Sequence, residues 1–384
     1  MQNPSISKIT VLGSGIMGHG IAQVSAMAGY RVTLRDIDSS LLDKALEKVK
    51  WSLNKLVEKQ KLTQIEAEKI FHRITPEINL ELSLKDADLL IEAVPENLEL
   101  KRKVYADVDK FAEEKTMYAS NTSTLPITEM AALTRRPERF IGLHFFNPPQ
   151  LMRLVEVIPG RNTNQYTIDT ALDFVTRVGK EPVLCRKDVV GFIVNRIFIP
   201  LVHEAAYCLE EDGVSMTQID SAVKYKMGFP MGIFELADYT GLDVIFKATS
   251  EMFSRDKRIV KPHPKIKELV DAQNLGQKSG KGFYEYSTST YERISLTPEE
   301  AAKYNPIRLL AVSTNNAAWL ISNNVCTRED LEKALRLGMG LKTDLFNTAE
   351  KFGMDNIVEK LREMAAKYGS SYEPDAYLEN YKSK

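Results

Sequence analysis

The stretch Ser7-Lys8-Ile9-Thr10-Val11-Leu12-Gly13-Ser14-Gly15-Ile16-Met17-Gly18 decides how the rest of the chain is read. A short run rich in β-branched residues ends in three glycines spaced G-x-G-x-x-G, and residues 21–28 then have the composition of a helix. Strand, glycine turn and helix in that order are the setting in which this motif holds a dinucleotide. Glycine is required because the backbone turns tightly, approaches a pyrophosphate closely and lets the helix pack on the strand. The start of the helix then offers unpaired N–H groups to the phosphates. Gly13, Ser14, Gly15, Ile16, Met17 and Gly18 are therefore the first candidate cofactor-binding residues.

The next extended run, Arg31–Arg35, leads into Asp36, roughly 20 residues beyond the glycines, where an acid accepts hydrogen bonds from the adenosine ribose. Its charge repels a 2′-phosphate, and Asp38 adds to the repulsion. Arg35 argues the other way but is expected on the solvent face of its strand, so the cofactor reads as NAD rather than NADP. His19 is expected to be a helix-surface or packing residue. Further runs at 88–93, 116–120, 140–144 and 154–158 alternate with helical stretches up to about Pro182, which predicts an α/β domain on a largely parallel sheet. Ligands of such sheets sit outside the carboxyl ends of the strands.

The 384 residues suit two to three domains, each of roughly 100–200 residues. Apolar residues make up 43% of the chain and charged residues 27%, which excludes bulk disorder. A net charge of −1 gives no field that would favour nucleic acid or an anionic membrane. Cys185, Cys208 and Cys326 are too few, too scattered and odd in number for a disulfide framework or a CxxC site, so no metal is expected and the compartment reads as reducing. No apolar run reaches the length of a membrane span. The first strand begins without a preceding basic or apolar leader, and the expected location is cytoplasmic.

After about residue 188 the pattern becomes helical, with a glycine- and lysine-rich turn and short extended segment at 276–286. Self-comparison finds a repeat at one ungapped offset of 112: Arg196 pairs with Arg308, Gly228 with Gly340, Phe234 with Phe346, and Gly241-Leu242-Asp243 with Gly353-Met354-Asp355. The expected organisation is a Rossmann-type α/β NAD-binding domain at 1–187, then an all-α region of two tandem helical repeats at 188–290 and 300–384.

Three segments carry polar residues where strands should end: 120–124 (Ser-Asn-Thr-Ser-Thr), 142–148 (Gly-Leu-His-Phe-Phe-Asn-Pro) and 154–157 (Leu-Val-Glu-Val). Oxidising a secondary alcohol needs a base for the hydroxyl proton, and histidine, with an ordinary pKa of about 6.5, suits that task. A neighbouring carboxylate would fix the imidazole tautomer. His144 and Glu156 could supply the two, although spacing alone also allows a buried structural histidine and a surface ion pair. His72, His203 and His263 lack such surroundings and read as structural or solvated.

Together with Gly13–Gly18, Glu92-Ala93-Val94-Pro95-Glu96-Asn97, Gly191-Phe192-Ile193-Val194-Asn195-Arg196 and Pro230-Met231-Gly232-Ile233-Phe234-Glu235-Leu236, these segments resemble the L-3-hydroxyacyl-CoA dehydrogenase family in both sequence and order. The resemblance implies NAD-dependent, reversible oxidation of an (S)-3-hydroxyacyl-CoA, with short chains such as 3-hydroxybutyryl-CoA as the default. It implies that His144 is the base and Glu156 its orienting partner, that Ser123 bonds the substrate 3-oxygen and that Asn195 binds substrate. Glu96, Lys101, Ser123, Asn147 and Lys278 fall on NAD contacts. Ser52 and Lys59 fall on the helix that binds coenzyme A, where Leu42, Ala45, Val49, Leu53 and Leu56 form an inward apolar stripe and Trp51 is expected to pack. The alternatives are a dehydrogenase of a free hydroxy acid or sugar acid and a non-catalytic, crystallin-like NAD-binding protein.

The second helical copy has Ile307 where the first has Asn195, so it is expected to be structural. In short relatives the single helical unit mediates dimerisation. The favoured expectation is therefore a monomer whose duplicate replaces a partner, with a homodimer as the alternative. Closure of the helical region over the α/β domain is expected to exclude water.

Overall fold

The computed structural model describes residues 6–287 and 293–381, and the chain divides into two compact units between Asp188 and Val189. Residues 288–290, assigned from sequence to the first helical copy, and 382–384, assigned to the second, lie outside the described residues.

In the first unit eight strands form one sheet: β1 (Lys8–Leu12), β2 (Arg31–Arg35), β3 (Ile74–Glu77), β4 (Leu89–Glu92), β5 (Met117–Ser120), β6 (Phe140–Phe145), β7 (Leu154–Pro159) and β8 (Glu181–Leu184). Their order is β3-β2-β1-β4-β5-β6-β7-β8. All neighbours run parallel except β6 and β7, which pair antiparallel. The chain leaves β1 in one direction and returns through β4 on its other side, so the carboxyl ends of these two strands flank the crevice where such sheets bind ligands. Ile9, Val11, Leu89 and Ile91 are fully buried in the centre, as expected of parallel strands covered on both faces.

All six strand runs read from the sequence are present. β3 and β8 were not foreseen. Each has only four residues and contains a proline, Pro76 or Pro182, which cannot donate to a ladder and weakens the pattern of a strand. Both lie at edges of the sheet, where a missing donor is tolerated.

The second unit is helical. Val194–Glu211, Met216–Lys226, Ile233–Thr240, Leu242–Arg255 and Pro264–Asp271 are followed, after the turn Gln277–Ser279 and the short helix Pro298–Ala302, by Ile307–Ser322, Arg328–Gly338, Leu345–Phe352, Met354–Tyr368 and Ala376–Glu379. Met216, Ile233, Leu242 and Pro264 open helices in the first set, and the residues 112 positions later, Arg328, Leu345, Met354 and Ala376, open helices in the second. The sets meet through equivalent positions. A Cβ on Gly228 would lie 2.4 Å from Thr343 Oγ1, and one on Gly340 would lie 3.0 Å from Pro230. The two arginines at matching positions each reach the other long helix: Arg196 stacks 3.7 Å over Trp319, and Arg308 pairs with Glu204.

Candidate active site

The glycine turn is built for close approach. Gly13 has φ +94°, and a Cβ there would lie 2.6 Å from Ala93 O. A Cβ on Gly18 would lie 1.7 Å from Gly13 O, whereas Gly15 faces open space. The helix Ile16–Met27 has no side-chain cap, so its first N–H groups are left for an anion. Asp36, at the tip of β2, accepts from Ser14 N at 2.7 Å, from Ser14 Oγ at 2.6 Å and from Ile37 N at 2.7 Å. One carboxylate thus braces the turn and stands where a ribose hydroxyl would meet it. This cradle fits NAD. Arg35 is half-buried, not solvent-facing, and its Nε has no hydrogen-bond partner in the structure. His19 is buried with Nδ1 2.6 Å from Gly15 O, and burial lowers its pKa; it packs beneath the turn.

The antiparallel pairing of β6 and β7 sets His144 directly opposite Glu156. His144 Nδ1 lies 2.6 Å from Glu156 Oε2, with the side chains 5% and 0% exposed. A carboxylate facing Nδ1 selects the tautomer protonated there, and Nε2 becomes the reactive nitrogen. The Phe146 ring lies 4.5 Å from the imidazole, centroid to centroid. Phe145 N donates to Asn121 Oδ1 at 2.9 Å, which ties this strand to the loop carrying half-buried Ser123.

That loop rests on Glu96. Its Oε1 accepts from Thr122 Oγ1 at 2.5 Å and from Ser123 N at 3.0 Å, and Thr124 donates from N and Oγ1. Lys101 lies 3.1 Å from Glu96 Oε2 and donates at 2.8 Å to both oxygens of Glu92. Burial disfavours the charges on Glu96 and Lys101, but their mutual attraction, Glu92 and the hydrogen bonds outweigh it. The Glu96 carboxyl is held below its ordinary pKa and the Lys101 ammonium above its own.

On the helix Ser39–Glu58, Leu42, Ala45, Val49 and Leu53 are buried, forming the inward stripe. Ser52 is half-buried and accepts from Gln23 at 3.0 Å, and Lys59, just past the helix end, is exposed. Trp51 corrects an expectation: it is 65% exposed, because it lies outside the buried arc of the helix.

The 3-hydroxyacyl-CoA dehydrogenase NAD-binding domain family matches residues 8–189, and the C-terminal domain of the same family matches residues 191–286 and 307–383. The chain belongs to the 3-hydroxyacyl-CoA dehydrogenase family. It is 42% identical over 289 residues to the mitochondrial hydroxyacyl-coenzyme A dehydrogenase of Sus scrofa, covering 73% of this chain and 91% of that protein. It is 39% identical over 287 residues to a probable 3-hydroxybutyryl-CoA dehydrogenase of Bacillus subtilis, covering 74% and 99%. The crystal structure of 3-hydroxybutyryl-CoA dehydrogenase from Escherichia coli K12 superposes with a TM-score of 0.87 at 28% identity, with 98% of each chain covered. As a family member the chain is an NAD-dependent dehydrogenase of 3-hydroxyacyl-CoA.

Three other family positions read from the sequence are Asn147, Asn195 and Lys278. Asn147 is exposed in the loop after β6. Asn195 belongs to the second unit, in the first turn of the helix Val194–Glu211. Lys278 is exposed and ion-pairs with Asp243. Its turn is held by Asp238, which accepts from Phe283 N and Tyr284 N at 2.9 Å and from Tyr286 OH at 3.0 Å.

Sequence reasoning passed over Glu92, Asn121 and Gln150 as site residues. Gln150 donates to Gln23 at 3.3 Å and, with Pro149, crowds Gly20 so that a Cβ there would lie within 2.9 Å of both. The signal was a fourth glycine, Gly20, just beyond the motif. Among the described residues no helix is long and apolar enough to cross a membrane, and no cluster of His, Cys, Asp or Glu could hold a metal.

Proposed function

We propose that the chain interconverts (S)-3-hydroxyacyl-CoA and 3-oxoacyl-CoA on short chains such as 3-hydroxybutyryl-CoA and acetoacetyl-CoA, with His144 as base. The observation that carries this reading is the buried His144–Glu156 pair in direct cross-strand register. Bound NAD supplies the hydride acceptor. Gly13–Gly18 and Asp36 hold it at pyrophosphate and ribose, with Glu96, Lys101, Asn147 and Lys278 serving its other half. His144 Nε2 takes the 3-hydroxyl proton while Glu156 fixes the ring and stabilises the imidazolium. In the reverse direction the imidazolium protonates the developing alkoxide. Ser123 and Asn195 place the oxygen. Ser52 and Lys59 serve coenzyme A, the lysine as a point charge for phosphate.

Relatives of mixed substrate make a thioester test decisive, since a solved diketoreductase superposes with a TM-score of 0.65 at 30% identity. NADH oxidation is followed with acetoacetyl-CoA and with free acetoacetate. Turnover of the thioester alone supports the proposal. Turnover of the free acid supports a hydroxy-acid dehydrogenase, and silence with both supports a binding protein.

The second helical set is read as a substitute for a partner subunit, supported by the common offset of 112 and the matching Gly228 and Gly340 contacts. A monomer is expected in analytical ultracentrifugation. A concentration-independent dimer overturns it. Cys185, Cys208 and Cys326, buried and scattered along the chain, support a reducing, cytoplasmic setting.

A further inference from the structure

Resemblance places Glu96 and Lys101 among the NAD contacts, and in the structure both also belong to a network that holds the Ser123 loop. Lys101 is 1% exposed. An ammonium has three donors, and this one has three oxygens within 3.1 Å, two from Glu92 and one from Glu96. Glu92, fully buried at the end of β4, also accepts from Val94 N at 2.8 Å, Ser120 Oγ at 2.7 Å and Tyr105 OH at 3.1 Å. Five hydrogen bonds to one carboxylate make it a fixed anchor, and Lys101 carries that fixity to Glu96. Glu96 Oε1 in turn gathers two backbone N–H groups and two hydroxyls from three consecutive residues, Thr122, Ser123 and Thr124. Thr122 Oγ1 also accepts from Leu125 N at 3.0 Å, so the loop is folded around the carboxylate.

We propose that Glu96, held by the buried Glu92–Lys101 pair, is a positioning residue for Ser123, presetting the loop so that the serine hydroxyl meets the reacting oxygen. The proposal rests on the reading of Ser123 given above. The chemistry explains the residue type. A carboxylate with no proton of its own can accept from four donors at once, whereas an amide must turn one –NH₂ toward the Lys101 ammonium. A loop misplaced by about 1 Å can cost up to roughly 10²-fold in rate.

The test is a double-mutant cycle on the NAD-loaded enzyme with acetoacetyl-CoA, using Glu96→Gln, Ser123→Ala and both together. Ser123→Ala is expected to lower kcat by about 10²-fold, the loss typical of one oxyanion donor. Glu96→Gln is expected to lower kcat at saturating NADH about tenfold, and to add little to the fall in kcat once Ser123 is gone, as coupled residues do. Multiplying losses overturn the proposal. A raised KM for NADH with kcat preserved also overturns it, because Glu96 would then act on the cofactor alone and not through Ser123. If Ser123→Ala is silent, the fault lies with the role given to Ser123, and the positioning role falls with it. Should Glu96→Gln fail to fold, Thr122→Val removes the closest donor to Glu96 and enters the same cycle, where a coupled loss supports the proposal and a multiplying loss overturns it.

Discussion

The two helical sets of the second unit solve the same structural problem with different side chains. In the first, His203 Nδ1 accepts from His263 N at 2.9 Å, and His263 caps the helix Pro264–Asp271. In the second, Asn315 Oδ1 accepts from Asp375 N at 2.8 Å, and Asp375 caps Ala376–Glu379. All four residues obey the offset of 112. The start of Ile233–Thr240 is satisfied by Asp220 from a neighbouring helix, which accepts from Phe234 N and Glu235 N. The start of Leu345–Phe352 is satisfied by its own Asp344, which also pairs with Arg328 at 2.9 Å. What holds helices together is kept. What is assigned to chemistry, Asn195 and the Lys278 turn, is found in the first set, and Ile307 stands where a second asparagine would be needed.

The contrast breaks most visibly if the chain holds a second centre. His144→Gln is expected to lower kcat by about 10²- to 10⁴-fold while NADH still binds, read by its fluorescence. Substantial residual turnover would point to another base. Next in size is the pair Asn195→Ala and Ile307→Ala. The first should reduce kcat/KM by about 10- to 100-fold through lost substrate placement, and the second should leave it within about twofold. Equal losses in steady-state assays would erase the distinction between the sets.

Smaller effects test how each set is held. A Cβ on Gly232 would lie 2.1 Å from the Asp220 carboxyl carbon, so Gly232→Ala should destabilise by about 1–3 kcal/mol through overpacking. Asp344→Ala should cost about 1 kcal/mol, the loss of a cap. Urea unfolding midpoints rank them.

A further effect is titratable. Burial, then the neighbouring His263, pushes His203 down to about 3, so the folded state keeps it neutral while the unfolded chain protonates below about 6.5. Its contribution is full above about 6.5 and is lost as pH falls toward 3, where the unfolded state binds the extra proton. Asp220, raised by burial to about 7, has the opposite sign, favouring the folded state at acid pH and losing that advantage as pH rises from about 4 to 7. His203→Asn installs the side chain found in the second set. The difference between its melting curve and that of the parent from pH 4 to 7 isolates the histidine, and the variant should lose less stability on acidification. Parallel curves would mean that His203 is protonated in the fold.

Much of this was legible in local pattern. The strand before Gly13, the helix after it and the six main strands follow from alternation, β-branching and glycine spacing, which act over a few residues. The two edge strands escaped because Pro76 and Pro182 interrupt that pattern. Trp51 was misplaced because a bulky aromatic next to an apolar stripe reads as core, and only the rotation of the helix shows that it lies outside the buried arc.

By itself the sequence determined the class of fold, the NAD cradle and the identity of a histidine and a glutamate suited to proton transfer, because each depends on residue type and short spacing. Only the tertiary structure decided that His144 faces Glu156 across β6 and β7 in a shared register. It alone brought Glu92, Lys101 and Glu96 beneath Ser123. The reason is that register and buried charge pairing are settled by contacts between segments far apart in sequence, where a shift of one residue turns every side chain to the opposite face.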